Sequence, residues 1–201
     1  MARAIFDTWQ KWGRLTRFLQ CSKIAFKREL SIWTGLEVAS LYTVCIITAN
    51  GDSSFKPNAN EHVDTLWDEE LLCWIVLAYN YSLFECCSRS KIGLGESGRL
   101  SGGIETWGAD LLKRTGNNWS DVIGGRAGLI EVAAARNFVA HGSRMVGQLS
   151  IDRFKSANEA CPWALGQSLV LDYTKVELCR SWLKGLMRLG NSWVERIESA
   201  H

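Results

Sequence analysis

Residues 133–142 read AAARNFVAHG and gather three polar side chains of different chemistry near the predicted end of one helix. At about 100° per residue, Asn137 and His141 fall on one face of that helix, with Arg136 on its border. The spacing of four residues brings the Asn137 amide within reach of the His141 imidazole, and Gly142 lets the chain leave the helix directly afterwards. The stretch therefore predicts a guanidinium, an amide and an imidazole at one helix end.

The flanking sequence supports this helix and supplies cations around it. Val132, Ala135 and Val139 fall together on the apolar face, roughly opposite to Asn137. Four cationic residues in or near the helix are candidates for binding a negatively charged substrate: Arg126, Arg144, Lys113 and Arg114. A plainer interpretation is that Arg and His at this position only complement the negative C-terminal end of the helix dipole.

The composition indicates one all-α domain over residues 1–201. A chain of 201 residues with 47% hydrophobic and 22% charged residues is typical of a globular domain. Pro57 and Pro162 are its two prolines, which leaves long stretches free to form helices. We therefore expect a single helical bundle with long core helices and short accessory helices, and most of the ten tryptophans in its core.

Hydrophobic periodicity and capping residues predict the order of the elements. The apolar run Leu71–Tyr81 is expected at the centre of the bundle, because it is apolar nearly all round. The first half of the chain is predicted to form one helix, or two helices with a break near 20–22, over residues 5–49, then a loop over 50–61, a helix over 63–88 and a Gly- and Ser-rich loop over 88–103. The second half is predicted to form helices over 104–115, 120–140 and 150–160, an extended segment over 167–173, and a last helix over 174–199.

The charge balance limits how this chain could bind RNA. A formal net charge of +2 excludes a protein that coats nucleic acid through its overall charge, so any affinity for RNA must come from a local patch. Lys11, Arg14 and Arg17 belong to the most basic segment. That segment is interpreted either as a solvated helix face or as a surface that follows RNA.

The cysteines and the longest apolar run indicate a cytoplasmic protein. The seven cysteines lack a C-x-x-C pair and lie in apolar stretches, which is typical of reduced core residues; with only three histidines, a zinc site is not expected. The run Leu71–Tyr81 is too short to span a bilayer, and the N-terminal residues lack the apolar segment of a secretory signal. We therefore predict no membrane contact.

The sequence RNFVAHG, preceded by alanines on a predicted helix, resembles the signature of the HEPN superfamily of small α-helical domains. In that family an Arg, a polar residue and a His form the active site of a metal-independent endoribonuclease. The resemblance implies a bundle of the HEPN type, with Arg136, Asn137 and His141 in those roles. It also implies RNA as the substrate, no cofactor, and cleavage through the 2′-OH to leave a 2′,3′-cyclic phosphate.

The resemblance further implies a homodimer, because HEPN ribonucleases build a composite active site from two copies of the motif. Ile130, Ala133 and Ala134 lie on or near the predicted polar face, where small residues would let two such helices approach closely. Ser143 stands where toxins paired with nucleotidyltransferase antitoxins commonly carry a tyrosine. That departure argues against this type of antitoxin, whereas a toxin or antiphage effector with another antitoxin or defence-system partner remains the expectation.

Two further functional classes stay open at this point. One is a HEPN-fold module that binds RNA or a partner without catalysis, and the other is a helical scaffold subunit with tryptophan-rich surfaces. A second Arg and His pair at the same spacing, Arg196 and His201, lacks the polar second residue and ends the sequence. We interpret that second match as accidental.

Overall fold

Seven α-helices and no strand make up the regular structure of residues 2–36, 59–94, 98–142 and 144–190, the parts that the computed structural model describes. The predicted all-α fold class is therefore confirmed for these ranges. The bounds are Ala2–Thr34 (α1), Ala59–Trp67 (α2), Glu69–Ile92 (α3), Ile104–Arg114 (α4), Gly125–His141 (α5), Gln148–Ser156 (α6) and Tyr173–Leu189 (α7), with a short 3₁₀ turn at Trp119–Asp121.

Helix α3 is the central element, as the apolar run Leu71–Tyr81 predicted. It packs against α1, α4, α5 and α7, and Val76, Leu77 and Phe84 are fully buried in it. It is also the one helix among the described residues that is long and apolar enough to cross a membrane, with over half of its apolar stretch buried inside the protein. Core helices of soluble proteins share that property.

The prediction of one helix over residues 63–88 is wrong at both ends. Asp68 divides it into α2 and α3, because its carboxylate accepts the Leu71 N–H at 3.2 Å and caps the second helix. Helix α3 then continues to Ile92, where Gly93 adopts the left-handed conformation (φ 83°). Its last turn occupies part of the predicted loop over residues 88–103.

Helix α1 is continuous across residues 20–22, so of the two alternatives the single helix is observed in this part of the chain and the break is not. Trp12, Leu19, Phe26 and Trp33 are spaced by seven residues and fall on one face of the helix, where Trp12, Leu19 and Trp33 are buried and Phe26 is half-buried. An interruption at Cys21 would take the following apolar residues off that face. The predictions for residues 37–58 lie outside the described ranges. The predicted last helix lies outside them from residue 191 onward.

The boundaries after α4 shift by a few residues from those predicted. Ser120 and Asp121 belong to the 3₁₀ turn and do not cap α5, which begins at Gly125. Helix α7 is capped by Asp172, whose side chain accepts the Lys175 N–H at 2.7 Å, two residues before the predicted capping box at Thr174. The extended segment over residues 167–173 forms one isolated antiparallel bridge, between Met145 and Ser168.

Helix α5 is buried on nearly every side, which corrects the predicted polar face. Ile130, Ala133 and Ala134 are at most 3% exposed, because α5 lies between α3, α4 and α7. The alanines allow close approach, but to helices of the same chain. They are not available to a second copy, so the predicted use of these three residues in a dimer interface is wrong.

The cysteines divide between core and surface. Cys73, Cys87 and Cys179 are buried, and burial raises the pKa of the Cys73 and Cys179 thiols to about 12. Cys21 and Cys86 are exposed, contrary to the expectation of core positions. All six cysteines in the described ranges are free thiols.

Gly13→Ala in α1 and Gly128→Ala in α5 are expected to change stability in opposite directions. A β-carbon at position 128 would lie 2.9 Å from the Trp182 ring, so the ring must shift. Overpacking should outweigh the gain in helix propensity and lower the free energy of unfolding by about 1 kcal/mol net.

A β-carbon at position 13 would meet only the end of Arg17, at 3.7 Å, and Gly13→Ala should raise the free energy of unfolding by about 0.5–1 kcal/mol. Urea unfolding measures both values, and a stabilising Gly128→Ala would contradict this packing.

Candidate active site

Helix α5 ends at His141 because Gly142 adopts the left-handed conformation (φ 64°, ψ 14°). The Gly142 N–H donates to the carbonyls of Phe138 and Val139, which closes the helix as predicted. Asn137 and His141 are exposed, in contrast to the buried turns before them. The last turn of α5 therefore presents polar groups to solvent.

The Arg136 guanidinium is held between α5 and α3. Its Nη1 donates to Asn137 Oδ1 at 3.0 Å, and its Nη2 lies 3.9 Å from Glu85 Oε2. The guanidinium carbon stands 5.6 Å from the centre of the Tyr81 ring. With one third of its side chain exposed, Arg136 has a fixed position and remains open to solvent on one side.

The Asn137 amide is directed to Arg136 and not to His141. Within the described ranges no hydrogen bond joins Asn137 to His141, so the predicted contact between them is wrong. The cause is local, since the neighbouring guanidinium takes the amide oxygen. The Asn137 N–H₂ group remains available to a ligand.

A groove of about 480 Å³ opens beside the end of α5 and the start of α6, and Asn137 and His141 line it. Its size is within the range of sites for small ligands. Met145 and Leu149 on its rim are 51% and 87% exposed. The other lining residues are Ala134, Phe138, Gly147, Gln148, Ser150 and Arg153. The groove thus combines an apolar surface with an amide, an imidazole and a cation.

Arg153 is a groove residue that sequence reasoning missed. It forms a bidentate pair with Glu105 of α4, with Nη2 to Oε2 at 2.6 Å and Nε to Oε1 at 3.0 Å. Burial raises the pKa of Tyr81, and Glu85 raises it further, whereas Arg153 and Arg136 lower it. Two arginine–glutamate pairs thus act on the same tyrosine. The positions of α4 and α6 decide this arrangement, and local spacing gives no signal of it.

Arg144, a predicted substrate-binding residue, lies just past the helix end but is already paired. Its Nη1 donates to Glu70 Oε2 at 2.8 Å, which ties the loop after α5 to the first turn of α3. It lines a second cavity of about 210 Å³, with Leu71, Trp74 and Val139 among its walls. Arg144 therefore stands on the other side of the helix end from the groove.

The other three predicted substrate-binding cations are not brought to His141. Arg126 lies in the first turn of α5, about 22 Å along the helix from His141 at 1.5 Å per residue, and its Nε pairs with Glu159 at 3.4 Å. Lys113 and Arg114 are exposed in the last turn of α4. Glu105, in the first turn of α4, contacts the groove residue Arg153. Lys113 and Arg114 therefore lie at the end of α4 that is remote from the groove. None of the three lines either cavity beside the motif.

Comparisons of this chain with models of known families, with curated proteins and with solved structures find no match. In the described ranges, no group of three or more His, Cys, Asp or Glu side chains is placed to hold a metal ion. The residues at the end of α5 can exchange a proton through the imidazole and bind an anion through the guanidinium.

Proposed function

We propose that this protein is a metal-independent endoribonuclease of the HEPN type. The observation that carries the proposal is the position of Asn137 and His141, which are exposed in the last turn of α5 and line an open groove, with Arg136 hydrogen-bonded to Asn137 beside them. An imidazole suits the proton transfer, and a guanidinium the developing negative charge, of RNA transesterification. From the motif resemblance we extend the proposal to a toxin or antiphage defence effector acting with an antitoxin or another defence-system protein.

In the proposed reaction the 2′-oxygen of a ribose attacks the adjacent phosphorus. An imidazole takes the 2′-OH proton, the bond from phosphorus to the 5′-oxygen breaks, and that oxygen leaves with a proton from a second group. The products are a 2′,3′-cyclic phosphate and a 5′-OH. Arg136 would bind the non-bridging oxygens, whose negative charge grows in the transition state, and the free Asn137 N–H₂ group would donate to one of them.

A second copy of the chain would supply the second proton-transfer group. One imidazole cannot readily serve both sides of the phosphorus, and His141 is the one histidine that lines the groove. With Ala133 and Ala134 buried, we place the contact between copies at the rim of the groove, where Met145 and Leu149 are exposed. The composite site would then contain two copies each of Arg136 and His141.

The ion pairs at the site favour a second candidate function, a module that binds RNA or a protein partner without cutting. Arg136 and Arg144 both stand beside carboxylates, and Asn137 does not orient His141. A phosphate must therefore compete with Glu85 for Arg136. In a catalytic protein the RNA phosphate displaces Glu85 from Arg136, whereas in a binding module the ion pairs remain and His141 takes part in no proton transfer.

The test of the proposal is cleavage of a labelled RNA of mixed sequence by the purified protein, with EDTA present throughout. We expect the same rate of cutting as in a parallel reaction with Mg²⁺ and no EDTA, with cyclic-phosphate ends on the 5′ fragments, because no step uses a metal. Loss of cutting in EDTA, or fragments with 3′-OH and 5′-phosphate ends, would contradict the proposed chemistry. RNA retained on a filter without any cutting would favour the binding module.

A further inference from the structure

A buried arginine without a carboxylate partner lies between α1 and α7, away from the motif. Arg180 is 6% exposed. Among the described residues, no carboxylate oxygen lies within 4.0 Å of its guanidinium nitrogens, the distance that defines an ion pair. Four other arginines of the described ranges are more exposed, and each forms an ion pair with a glutamate: Arg126, Arg136, Arg144 and Arg153. Burying a charge is costly unless another group compensates it.

Neutral groups hold the Arg180 guanidinium in place. Thr16 donates its hydroxyl to the Trp12 carbonyl at 2.9 Å, and its oxygen accepts a hydrogen bond from Arg180 Nη2. The guanidinium carbon lies 5.3 Å from the centre of the Trp12 ring. Thr16 and Trp12 fix the orientation of the guanidinium but contribute no negative charge.

Arg180 and Lys184 both line a cavity of about 230 Å³ between α1 and α7. Among the described residues, the hydrogen bond of the Arg180 side chain is the one from Nη2 to Thr16, and Nε and Nη1 have none. Trp12, Thr16, Leu19, Gln20, Glu177 and Ser181 complete the walls. One water needs about 10–15 Å³ of such space, so the cavity has room for a tetrahedral oxyanion and its hydration.

The charges that face this cavity favour an anion. Arg180 and Lys184 are cationic, and Glu177 is the one carboxylate among the lining residues. Burial lowers the pKa of Arg180, whereas Glu177 acts in the opposite direction, as expected for a cation with too little compensating charge nearby. The Lys184 Nζ lies 6.0 Å from the centre of the Trp9 ring, one turn further along the same α1–α7 contact.

We propose that this cavity binds a phosphate group, with Arg180 donating two hydrogen bonds to its oxygens and Lys184 contributing a second positive charge. A planar guanidinium held at a fixed angle matches two phosphate oxygens, and Gln20 adds an amide donor at the mouth. The phosphate adds compensation for the buried charge of Arg180, for which Glu177 is the one carboxylate among the lining residues. This site shares no residue with the groove at His141, so it does not depend on the proposed ribonuclease activity.

The test is thermal unfolding of the full chain in sodium phosphate and in sodium chloride of equal ionic strength. Wild-type protein is expected to show a saturable rise of Tm with phosphate; at ten times the Kd the folded-to-unfolded ratio increases about 11-fold. Arg180→Met should lose this rise, while Arg188→Met, an exposed site on the same helix, should keep it. His141→Ala should keep it as well.

Further variants and ligands make the result decisive. If Arg180→Met does not fold, Lys184→Met should fold and require several-fold more phosphate for the same rise.

Adenosine monophosphate and a non-cleavable 2′-O-methyl RNA, at equal phosphate concentration, distinguish the sources of the phosphate group. A larger rise of Tm with RNA assigns the site to a nucleic-acid backbone, and an equal or larger rise with free phosphate assigns it to small phosphates. Equal Tm in phosphate, RNA and chloride would overturn the proposal, as would an undiminished rise in the variant lacking the Arg180 or the Lys184 charge.

Discussion

His141→Ala is expected to lower the rate of RNA cleavage by about 10²- to 10⁴-fold, the range for loss of a general acid–base group. His141 is the imidazole at the groove, and two copies of it would take both proton-transfer roles. Its side chain is exposed, so the variant should fold and unfold like wild type. Single-turnover cleavage in EDTA, together with circular dichroism and Tm, measures both properties.

The chain provides a matched control for this prediction. His201 also follows an arginine, Arg196, by five residues, but lies outside the described ranges and in an accidental match. His201→Ala should therefore cut RNA at the wild-type rate. Equal activity of the two variants, or a larger loss in His201→Ala, would remove His141 from the chemistry.

Arg136→Lys is expected to lower the rate by about 10²- to 10³-fold, as for the loss of one donor to a developing oxyanion. Lysine keeps the charge, but it loses the planar fork that binds two phosphate oxygens and contacts Asn137 and Glu85 together. Because the charge remains, RNA binding should weaken much less than the rate. Measuring kcat and Kd separately resolves the two effects.

Arg114→Lys is the control for Arg136→Lys. Arg114 is exposed in the last turn of α4 and lines neither cavity beside the motif, so its replacement should change neither kcat nor Kd. A loss of affinity without a loss of rate in Arg136→Lys would indicate that Arg136 only binds RNA. That result would favour the binding module over the ribonuclease.

The central parts of the fold could be predicted because they depend on local patterns. Trp12, Leu19, Phe26 and Trp33 recur every seven residues and give α1 one face toward the bundle. The apolar run Leu71–Tyr81 gives the central helix, although Leu71, Ile75 and Tyr79 on one side of it are about half exposed. Helix ends were less predictable. Asp68 and Asp172 cap helices where several polar residues compete for the role, and only the packed structure decides which one accepts the backbone N–H.

The burial of α5 could not be predicted from periodicity. Ala133 and Ala134 fit an exposed face as well as a buried one, because alanine has little hydrophobic signal and a high helix propensity. Their burial follows from how closely α3, α4 and α7 approach α5. The same ambiguity led to the incorrect assignment of these alanines to a dimer contact.

In the candidate site, too, local spacing predicts some features, whereas tertiary contacts decide the others. Arg136, Asn137 and His141 share the last two turns of one helix, which sequence spacing describes; Arg136 contacts Asn137, while Asn137 and His141 line the groove. Their partners come from other elements: Glu85 from α3 beside Arg136, and Arg153 from α6 across the groove. Charge counting along the chain cannot find such pairs, since each one depends on a tertiary contact.

The measurement that tests the central claim most directly is cleavage of an RNA with a single 2′-deoxy substitution, in EDTA, after the preferred cut site has been mapped. If the 2′-oxygen is the nucleophile, the substitution on the 5′ side of the scissile phosphate should abolish cutting at that phosphate. The same substitution one nucleotide further along should leave cutting intact, with a 2′,3′-cyclic phosphate on the 5′ fragment. Undiminished cutting at the deoxy position would mean that water is the nucleophile, and would contradict the role proposed for Arg136 and His141.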